Sequence, residues 1–119
     1  GHDVLRGNSG WDHLLGGRGN DRIYGDGGQD RLFGQEGNDT LAGGAHADTF
    51  VFHRGYGTDI ITDFTVGEDR IQIGRGADGI DDLTFTSQGN SVQITFADVT
   101  IMVENSTLAQ IEDADNFLF

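Results

Sequence analysis

The sequence predicts an all-β protein in which a right-handed parallel β-solenoid is closed by a β-rich C-terminal cap. The first observation is an aspartate that recurs every nine residues without a break in register. The second is an apolar side chain two residues after each aspartate, and the third is a glycine two residues before all but the last. The aspartates are Asp3, Asp12, Asp21, Asp30, Asp39 and Asp48, and the apolar residues are Leu5, Leu14, Ile23, Leu32, Leu41 and Phe50.

One unit of the period, residues 16–24, shows how it builds a coil. Its first six residues, GGRGND, favour turns, because glycine tolerates positive φ and aspartate is a common turn residue. Its last three, RIY, place one apolar side chain between two outward ones, which is a minimal strand of period two. Each unit therefore makes half a coil and two units make a full coil, with equivalent residues of neighbouring coils about 4.8 Å apart.

The composition limits the core that this chain can build without help. Its 119 residues accommodate one domain or part of one. Twenty glycines, an apolar fraction of 35% and a net charge of −13 favour disorder unless something neutralises the chain. There is no cysteine for a disulfide, and so acidic a chain is not expected to bind nucleic acid through phosphate contacts. No apolar run reaches transmembrane length, so we expect no membrane span.

The unit has the form G-G-x-G-x-D-x-U-x, where U is a large apolar residue. It resembles the RTX (repeats-in-toxin) calcium-binding family, in which this nonapeptide forms a parallel β-roll. The resemblance implies the C-terminal module of a type I secreted protein, as in serralysin-type proteases, RTX lipases, mannuronan C5-epimerases and haemolysins. It implies an extracellular location, with the type I secretion apparatus and the upstream domains of a parent protein as partners. Since residue 1 occupies the fourth position of a unit, we expect the chain to be the tail of a longer protein.

The resemblance also implies which atoms bind calcium. One unit supplies the carbonyls of positions two and four and the aspartate of position six. The unit eighteen residues on supplies the carbonyls of positions one and three and its own aspartate. Calcium binds roughly six to eight oxygens, and both carboxylates and carbonyls are suitable. The first site is Asn8, Gly10 and Asp12 with Gly25, Gly27 and Asp30. The second is Gly17, Gly19 and Asp21 with Gly34, Glu36 and Asp39. The third is Asp26, Gly28 and Asp30 with Gly43, Ala45 and Asp48.

Further sites at the two ends of the repeats are less complete. A fourth site, Gly1 and Asp3 with Gly16, Arg18 and Asp21, lacks its position-two residue. Two half-sites at the other end are Gln35, Gly37 and Asp39, and Gly44, His46 and Asp48. Asp59 and Asp63 lie where their partners are expected, in a D-x-I-x-D-F segment that RTX proteins often show. We expect several calcium ions, at least three to four.

Four residues replace the usual turn glycines, namely Asn8, Asp26 and Gln35 at position two and His46 at position four. The ligand there is a backbone carbonyl, so conformation matters more than residue type. The alternative is a calcium-free solenoid whose aspartates only cap turns. Turn formation alone would accept asparagine or serine at several of the six aspartate positions, and neither occurs there.

Other chemistry has weaker support in the sequence. Four histidines could bind zinc, but there is no H-E-x-x-H motif, and there is no G-x-S-x-G motif of a lipase nucleophile. We therefore predict a non-catalytic module. Trp11 lies at an exposed turn position and is a candidate for stacking on a sugar.

After the repeats the chain alternates as strands do, so we assign residues 1–56 to the roll and residues 57–119 to a cap. Gly89 and Asn90 form a predicted two-residue hairpin turn, and Ser106 is the predicted N-cap of a short helix. The final acidic residues and the last three residues, FLF, resemble the C-terminal signal of type I secreted proteins. A last strand that completes the cap is the alternative, and the two are compatible.

The outer surface and the charge are both uneven. One face of the roll carries an apolar stripe of Leu15, Phe33 and Val51, which we expect to be covered by the C-terminal half or by an upstream domain.

Residues 1–56 contain five arginines and eight acids, a net charge of −3. Residues 57–119 contain two arginines and twelve acids, a net charge of −10.

The sequence thus predicts a calcium-binding module that folds on binding calcium outside the cell and supports secretion of a larger exoprotein. The alternative is an accessory module that binds a substrate or surface, such as the polysaccharide alginate, for an extracellular enzyme or adhesin.

Overall fold

In the computed structural model, which describes residues 2–119, each repeat unit contributes one strand from its last three residues. The turn-forming part of each unit connects one strand to the next, as the period predicts. The predicted ligand Gly1 lies outside the described residues. The six strands are β1 (Val4–Arg6), β2 (His13–Leu15), β3 (Arg22–Tyr24), β4 (Arg31–Phe33), β5 (Thr40–Ala42) and β6 (Thr49–Phe52).

These strands form two parallel stacks in which the chain returns to the same stack after eighteen residues. Leu5 is level with Ile23 in the stack of odd-numbered strands, and Leu14 is level with Leu32 in the stack of even-numbered strands. The structural repeat is therefore a coil of two units, and the fold is the predicted all-β parallel solenoid.

The stacking continues beyond the nine-residue period. Strand β7 (Thr58–Ile61) pairs in parallel with β5, and β8 (Arg70–Ile73) pairs in parallel with β6. Thr40 is level with Ile60 and Thr49 with Arg70, so the offsets are 20 and 21 residues. The longer turns absorb the extra residues while both stacks gain a strand. The division at residue 56 marks the end of the period, and as a domain boundary it stays a prediction.

The cap extends both sheets of the solenoid. Strands β9 (Thr84–Gln88), β10 (Ser91–Phe96) and β11 (Val99–Val103) form an antiparallel meander, and β11 lies parallel to β7. The last strand, β12 (Phe117–Leu118), lies parallel to β8. One sheet has the order β1-β3-β5-β7-β11-β10-β9, and the other has the order β12-β8-β6-β4-β2. The chain end therefore forms a strand that completes the second sheet.

Position-eight side chains of the repeats fill the space between the two sheets. Four of them have no exposed surface: Ile23, Leu32, Leu41 and Phe50. Leu5 and Leu14 occupy the same position but are only partly buried, because no described coil covers their outer side. The core runs on into the cap through Ile61, Ile71 and Ile101, so roll and cap share one apolar interior.

The hairpin prediction is confirmed and the helix cap prediction is wrong by one residue. Only Gly89, with φ of 62°, and Asn90 separate β9 from β10. The helix α1 (Leu108–Ile111) has Thr107 as its N-cap, with a capping box in which Thr107 and Gln110 exchange side chain–backbone hydrogen bonds. Ser106 is buried, and its hydroxyl donates instead to the Glu104 carbonyl at 3.3 Å.

The apolar stripe on the even-numbered strands is covered at one end only. Val51 is 1% exposed, Phe33 is half-buried and Leu15 is 51% exposed. The His13 ring and the Arg31 guanidinium lie beside the Phe33 ring, at 6.1 and 5.7 Å from its centroid, and partly shield it. The predicted cover is thus found at Val51 but not at Leu15. Among the described residues, no helix is long and apolar enough to cross a membrane.

Candidate metal centres

Positive φ at positions two and four sets the shape of each turn. Non-glycine residues adopt it at Asn8 (64°), Asp26 (65°) and Gln35 (69°) in position two, and at His46 (73°) in position four. Gly17 has a φ of 82° at position two of another unit. Positive φ is uncommon for residues other than glycine, although asparagine, aspartate and histidine tolerate it better than most. The four substitutions therefore keep the turn conformation.

Stacked turns are held together by their backbones. The Gly27 N–H donates to the Asn8 carbonyl at 2.8 Å, and the Ala45 N–H donates to the Asp26 carbonyl at 3.0 Å. At Gly28 a Cβ would overlap the Gly10 carbonyl, so this position requires glycine for close approach as well as for its φ of 96°. A carbonyl oxygen has two lone pairs, so the hydrogen-bonded carbonyls still have one available for a cation.

The aspartates at position six of the units form two rows of hydrogen-bonded carboxylates, or ladders, one along each column of turns. From the second coil onward, the Oδ1 atom of each aspartate accepts a hydrogen bond from the backbone N–H of the equivalent residue one coil earlier. The donor and acceptor pairs are Asp3 to Asp21 (2.7 Å), Asp12 to Asp30 (2.9 Å), Asp21 to Asp39 (2.7 Å), Asp30 to Asp48 (2.9 Å), Asp39 to Asp59 (2.8 Å) and Asp48 to Asp69 (2.9 Å). Each carboxylate is thus oriented by the coil before it.

The second oxygen of these carboxylates is buried without a protein partner. Six Oδ2 atoms are in this state, those of Asp12, Asp21, Asp30, Asp39, Asp48 and Asp59. A buried, unpaired carboxylate oxygen is costly, because its hydration is lost and nothing replaces it. The same unsatisfied atom recurs once per turn, and a cation is the group that such an atom would accept.

Carbonyl oxygens lie close to these unpartnered atoms. A Cβ placed on Gly7 would be 2.7 Å from Asp12 Oδ2 and 2.8 Å from the Gly25 carbonyl oxygen, so both oxygens border the same small space. The arrangement recurs beside Gly16, where the Cβ would be 2.8 Å from both Asp21 Oδ2 and the Gly34 oxygen. Position one of the later coil therefore contributes oxygen next to the aspartate of the earlier coil. This donor set suits a hard cation such as calcium.

The electrostatics also favour a cation in the turns. Burial, and to a smaller extent the charges of neighbouring aspartates, raise the pKa of Asp39 to about 6, that of Asp48 to about 7 and that of Asp59 to about 8. Backbone hydrogen bonds from the preceding coil oppose the shift without cancelling it. The folded turns thus disfavour ionised aspartates unless a cation compensates their charge.

The last carboxylate of one ladder belongs to a residue that the sequence analysis did not predict as a calcium ligand. Asp59 accepts from the Asp39 N–H, whereas the Asp48 N–H donates to Asp69 rather than to Asp63. Asp63 binds the backbone N–H groups of Gly43 and Gly44, at 2.9 and 2.8 Å. The sequence does contain a pattern that points to Asp69. The segment G-E-D-R-I at residues 67–71 repeats positions four to eight of the unit, with Asp69 at position six.

Several predicted ligands have side chains that point to other partners. Arg18 Nε lies 3.3 Å from Glu36 Oε2, and Asp26 Oδ1 lies 3.2 Å from an Arg6 nitrogen. Only the backbone carbonyls of Arg18, Glu36 and Asp26 are then available, which is the role predicted for them.

The structure stacks the paired units of the three complete predicted sites turn over turn. At the fourth site it pairs Asp3 with Asp21, while Gly1 is outside the described residues. No group of three or more His, Asp or Glu side chains gathers at one point in residues 2–119. A site in these turns therefore depends on backbone carbonyls, and the ligand list itself stays a prediction.

Comparison with known proteins agrees with this geometry. The RTX calcium-binding nonapeptide repeat family, in four copies, matches residues 1–23 and 24–59. No curated protein sequence matches the chain at a significant level.

Solved structures share the whole fold. The extracellular lipase LipA from Serratia marcescens is 27% identical with a TM-score of 0.81, over 98% of this chain and 19% of the lipase. The R3 subunit of the mannuronan C5-epimerase from Azotobacter vinelandii is 26% identical with a TM-score of 0.70, over 99% of this chain and 78% of the subunit. The R2 subunit is 28% identical with a TM-score of 0.67, over 98% and 91%. The chain is thus a β-roll that spans about a fifth of the lipase.

Proposed function

Because residues 1–59 of this chain belong to the RTX calcium-binding nonapeptide repeat family, we propose that its stacked turns bind several calcium ions and that binding drives folding. The first three sites take the ligands of the unit pairs described above, with Asp30 shared between the first and the third. Asp39 with Asp59, and Asp48 with Asp63 and Asp69, extend the two columns beyond the repeats.

The observation that carries this proposal is the row of buried Oδ2 atoms without a partner. In five of the six, all but Asp12, the other oxygen of the same carboxylate accepts a backbone hydrogen bond that orients the group. Calcium, when bound, supplies positive charge and oxygen coordination at these atoms. The chain itself supplies the orientation, through the N–H groups of the preceding coil and the positive-φ turns.

We further propose that calcium concentration switches the chain between unfolded and folded states. The net charge of −13 and the small apolar fraction oppose folding at low calcium. Extracellular sites with ligands of this kind bind in the range of roughly 10⁻⁴–10⁻³ M, and binding free energy then appears as folding free energy. An unfolded chain inside the cell suits export, and folding outside the cell stabilises the exported protein.

The wider role that fits these properties is a non-catalytic module of a larger, extracellular protein exported by a bacterial type I apparatus. The coverage of only 19% of the lipase supports a place within a longer parent chain. The final acidic residues and the last three residues, FLF, are the candidate export signal, and Phe117–Leu118 form the final strand of the folded chain.

A second candidate function is the binding of an anionic polysaccharide. It is favoured by the likeness to two subunits of a mannuronan C5-epimerase and by a cavity of about 270 Å³ beside Trp11. Trp11 is 79% exposed, and His13, Arg31 and Thr49 line the same cavity. Aromatic faces stack on sugar rings and arginine binds carboxylates. Alginate oligomers should then shift the NMR resonances of Trp11 in the wild type, and Trp11→Ala should lose the binding. Alginate binding without any change at Trp11 would remove this candidate.

Calcium titration tests the main proposal. Circular dichroism should show a coil-to-β transition with calcium but not with magnesium, and a chain that is already folded in chelator at neutral pH would contradict the folding switch. Asp30→Ala removes a carboxylate from two sites, so calorimetry should show the loss of about two ions. Gln29→Ala changes the exposed neighbouring residue and should leave the stoichiometry unchanged.

A further inference from the structure

Three basic residues form a small pocket where the repeats meet the cap. The cavity measures about 320 Å³ and is lined by His53, Arg54 and Arg75. His53 and Arg54 follow the end of β6, and Arg75 follows the end of β8, the strand paired with β6. The pairing continues past the strands, since the Arg54 N–H donates to the Arg75 carbonyl at 2.8 Å. The fold therefore fixes two arginines side by side.

This placement is unusual in so acidic a chain. The chain contains only seven arginines but 20 acidic residues, and two of the seven arginines are neighbours at this pocket. Among residues 2–119, ion pairs are seen for Arg6 and Arg18, and neither Arg54 nor Arg75 has one. The acid that reaches this loop, Asp98, uses its Oδ1 atom to accept the Gly55 N–H at 2.7 Å. Like charges that line one cavity repel each other, and an anion bound in the cavity would relieve that repulsion.

His53 adds a third polar group with an unused atom. Its Nδ1 atom is buried and has no hydrogen-bond partner in the described structure. The imidazole lies directly over Gly74, where any Cβ would overlap the ring, and it meets the Tyr56 ring edge-on at 5.2 Å between centroids. Burial and the positive charge of Arg75 lower the pKa of His53. The ring is therefore held in place against Gly74, and its Nδ1 atom has no hydrogen-bond partner among the described residues.

We propose that His53, Arg54 and Arg75 bind the oxyanion group of a small molecule or of a sugar unit. The planar guanidinium fork fits carboxylate, sulfate and phosphate oxygens with two parallel hydrogen bonds. Pockets for small organic ligands start at roughly 300 Å³, so this cavity accommodates a carrier larger than a bare inorganic ion. The pocket is separate from the calcium ladders, since His53, Arg54 and Arg75 are not among the predicted ligands.

The test is an NMR titration of the full chain, folded in millimolar calcium, with sodium sulfate and with sodium glucuronate in separate arms. Sodium chloride at the same ionic strength is the reference. We expect saturable shifts at the His53 ring and at the Arg54 and Arg75 side chains. A response to sulfate alone identifies a tetrahedral anion as the preferred group, and a response to glucuronate identifies a carboxylate. The absence of a saturable shift at the pocket in both arms would overturn the proposal.

Matched variants separate a built site from diffuse charge. Arg75→Gln should weaken binding about tenfold or more, the loss expected for a charged hydrogen bond. Arg54→Gln should weaken binding to the same extent. If Arg75→Gln does not fold, as judged by the calcium-dependent circular dichroism of the wild type, Arg54→Gln provides the test instead. Arg22→Gln removes the same charge from an exposed position on β3 and should leave the affinity unchanged. Equal weakening by Arg22→Gln and Arg75→Gln would show that no specific pocket exists.

Discussion

Asp59→Asn separates the cost of burying a charge from the benefit of binding a cation. Asp59 has no exposed surface, its Oδ1 accepts the Asp39 N–H at 2.8 Å and its Oδ2 has no partner. In the variant, the amide oxygen keeps the hydrogen bond while the negative charge is lost. We therefore expect the variant to be more stable than the wild type without calcium and less stable with it.

The size of the effect follows from the pKa of Asp59. Burial first, and then the charge of Asp39, raises this pKa from 3.8 to about 8 in the folded chain. The folded state then holds its proton more tightly than the unfolded state, so stability falls as the pH rises from about 4 to about 8. At pH 7 the unfolded-state pKa lies about three pH units below the pH, at about 1.36 kcal/mol each, so burial of Asp59 costs on the order of 4 kcal/mol of stability.

The assay is far-UV circular dichroism in chelator across this pH range, followed by thermal unfolding in millimolar calcium. The wild type should gain β structure as the pH falls, and Asp59→Asn should do so at a higher pH. In calcium the order should reverse, because the variant lacks a charged ligand. Asp81→Asn, which neutralises an exposed acid, is the control and should change neither result by more than a few tenths of a kcal/mol.

Two outcomes would refute the reasoning. If Asp59→Asn is less folded than the wild type in chelator at pH 7, the buried charge is not the obstacle to folding. If it keeps the pH dependence of the wild type, other groups account for that dependence.

Two further predictions use matched pairs of positions within the repeats, both measured by thermal unfolding in saturating calcium. Gly28→Ala and Gly10→Ala both place a side chain at positive φ, at a cost of about 1–2 kcal/mol. Only at Gly28 would the added Cβ overlap a carbonyl of the neighbouring coil. Gly28→Ala should therefore be clearly less stable than Gly10→Ala. Equal losses would mean that stacked turns separate easily. Leu32→Ala should cost about 2–5 kcal/mol, because the side chain is fully buried between coils. Leu14→Ala, in the partly open first coil, should cost less, and an equal loss would indicate that another coil covers Leu14.

Much of the roll could be predicted from the sequence because its contacts repeat with the period. The placement of Leu5 level with Ile23 follows from an offset of eighteen residues, and the inward direction of Leu32 follows from its position in the unit. His46 at a glycine position keeps the turn conformation, with a φ of 73°, because histidine tolerates positive φ better than most residues.

The spacing is a weaker guide where the period ends. Asp59 and Asp63 lie where partners for Asp39 and Asp48 are expected one coil later, and their role as ligands stays a prediction, while Asp69 is the residue that accepts the Asp48 N–H. The coil from β6 to β8 contains three more residues than a regular coil, so counting along the chain no longer gives the level of a residue in the stack. The helix N-cap prediction was off by one residue because the Ser106 hydroxyl donates to the Glu104 carbonyl, while Thr107 caps the helix.

The sequence by itself determined the coil, the ladder of aspartates and the positive-φ turns, because each is a local or strictly periodic property. Only the tertiary structure decided how β7, β8, β11 and β12 close the roll, which carboxylate completes the second ladder, and that Arg54 and Arg75 become neighbours. These features depend on pairing between segments at irregular separations. Such pairing is selected by burial of the shared core and by backbone hydrogen bonds, and it leaves no fixed spacing in the chain.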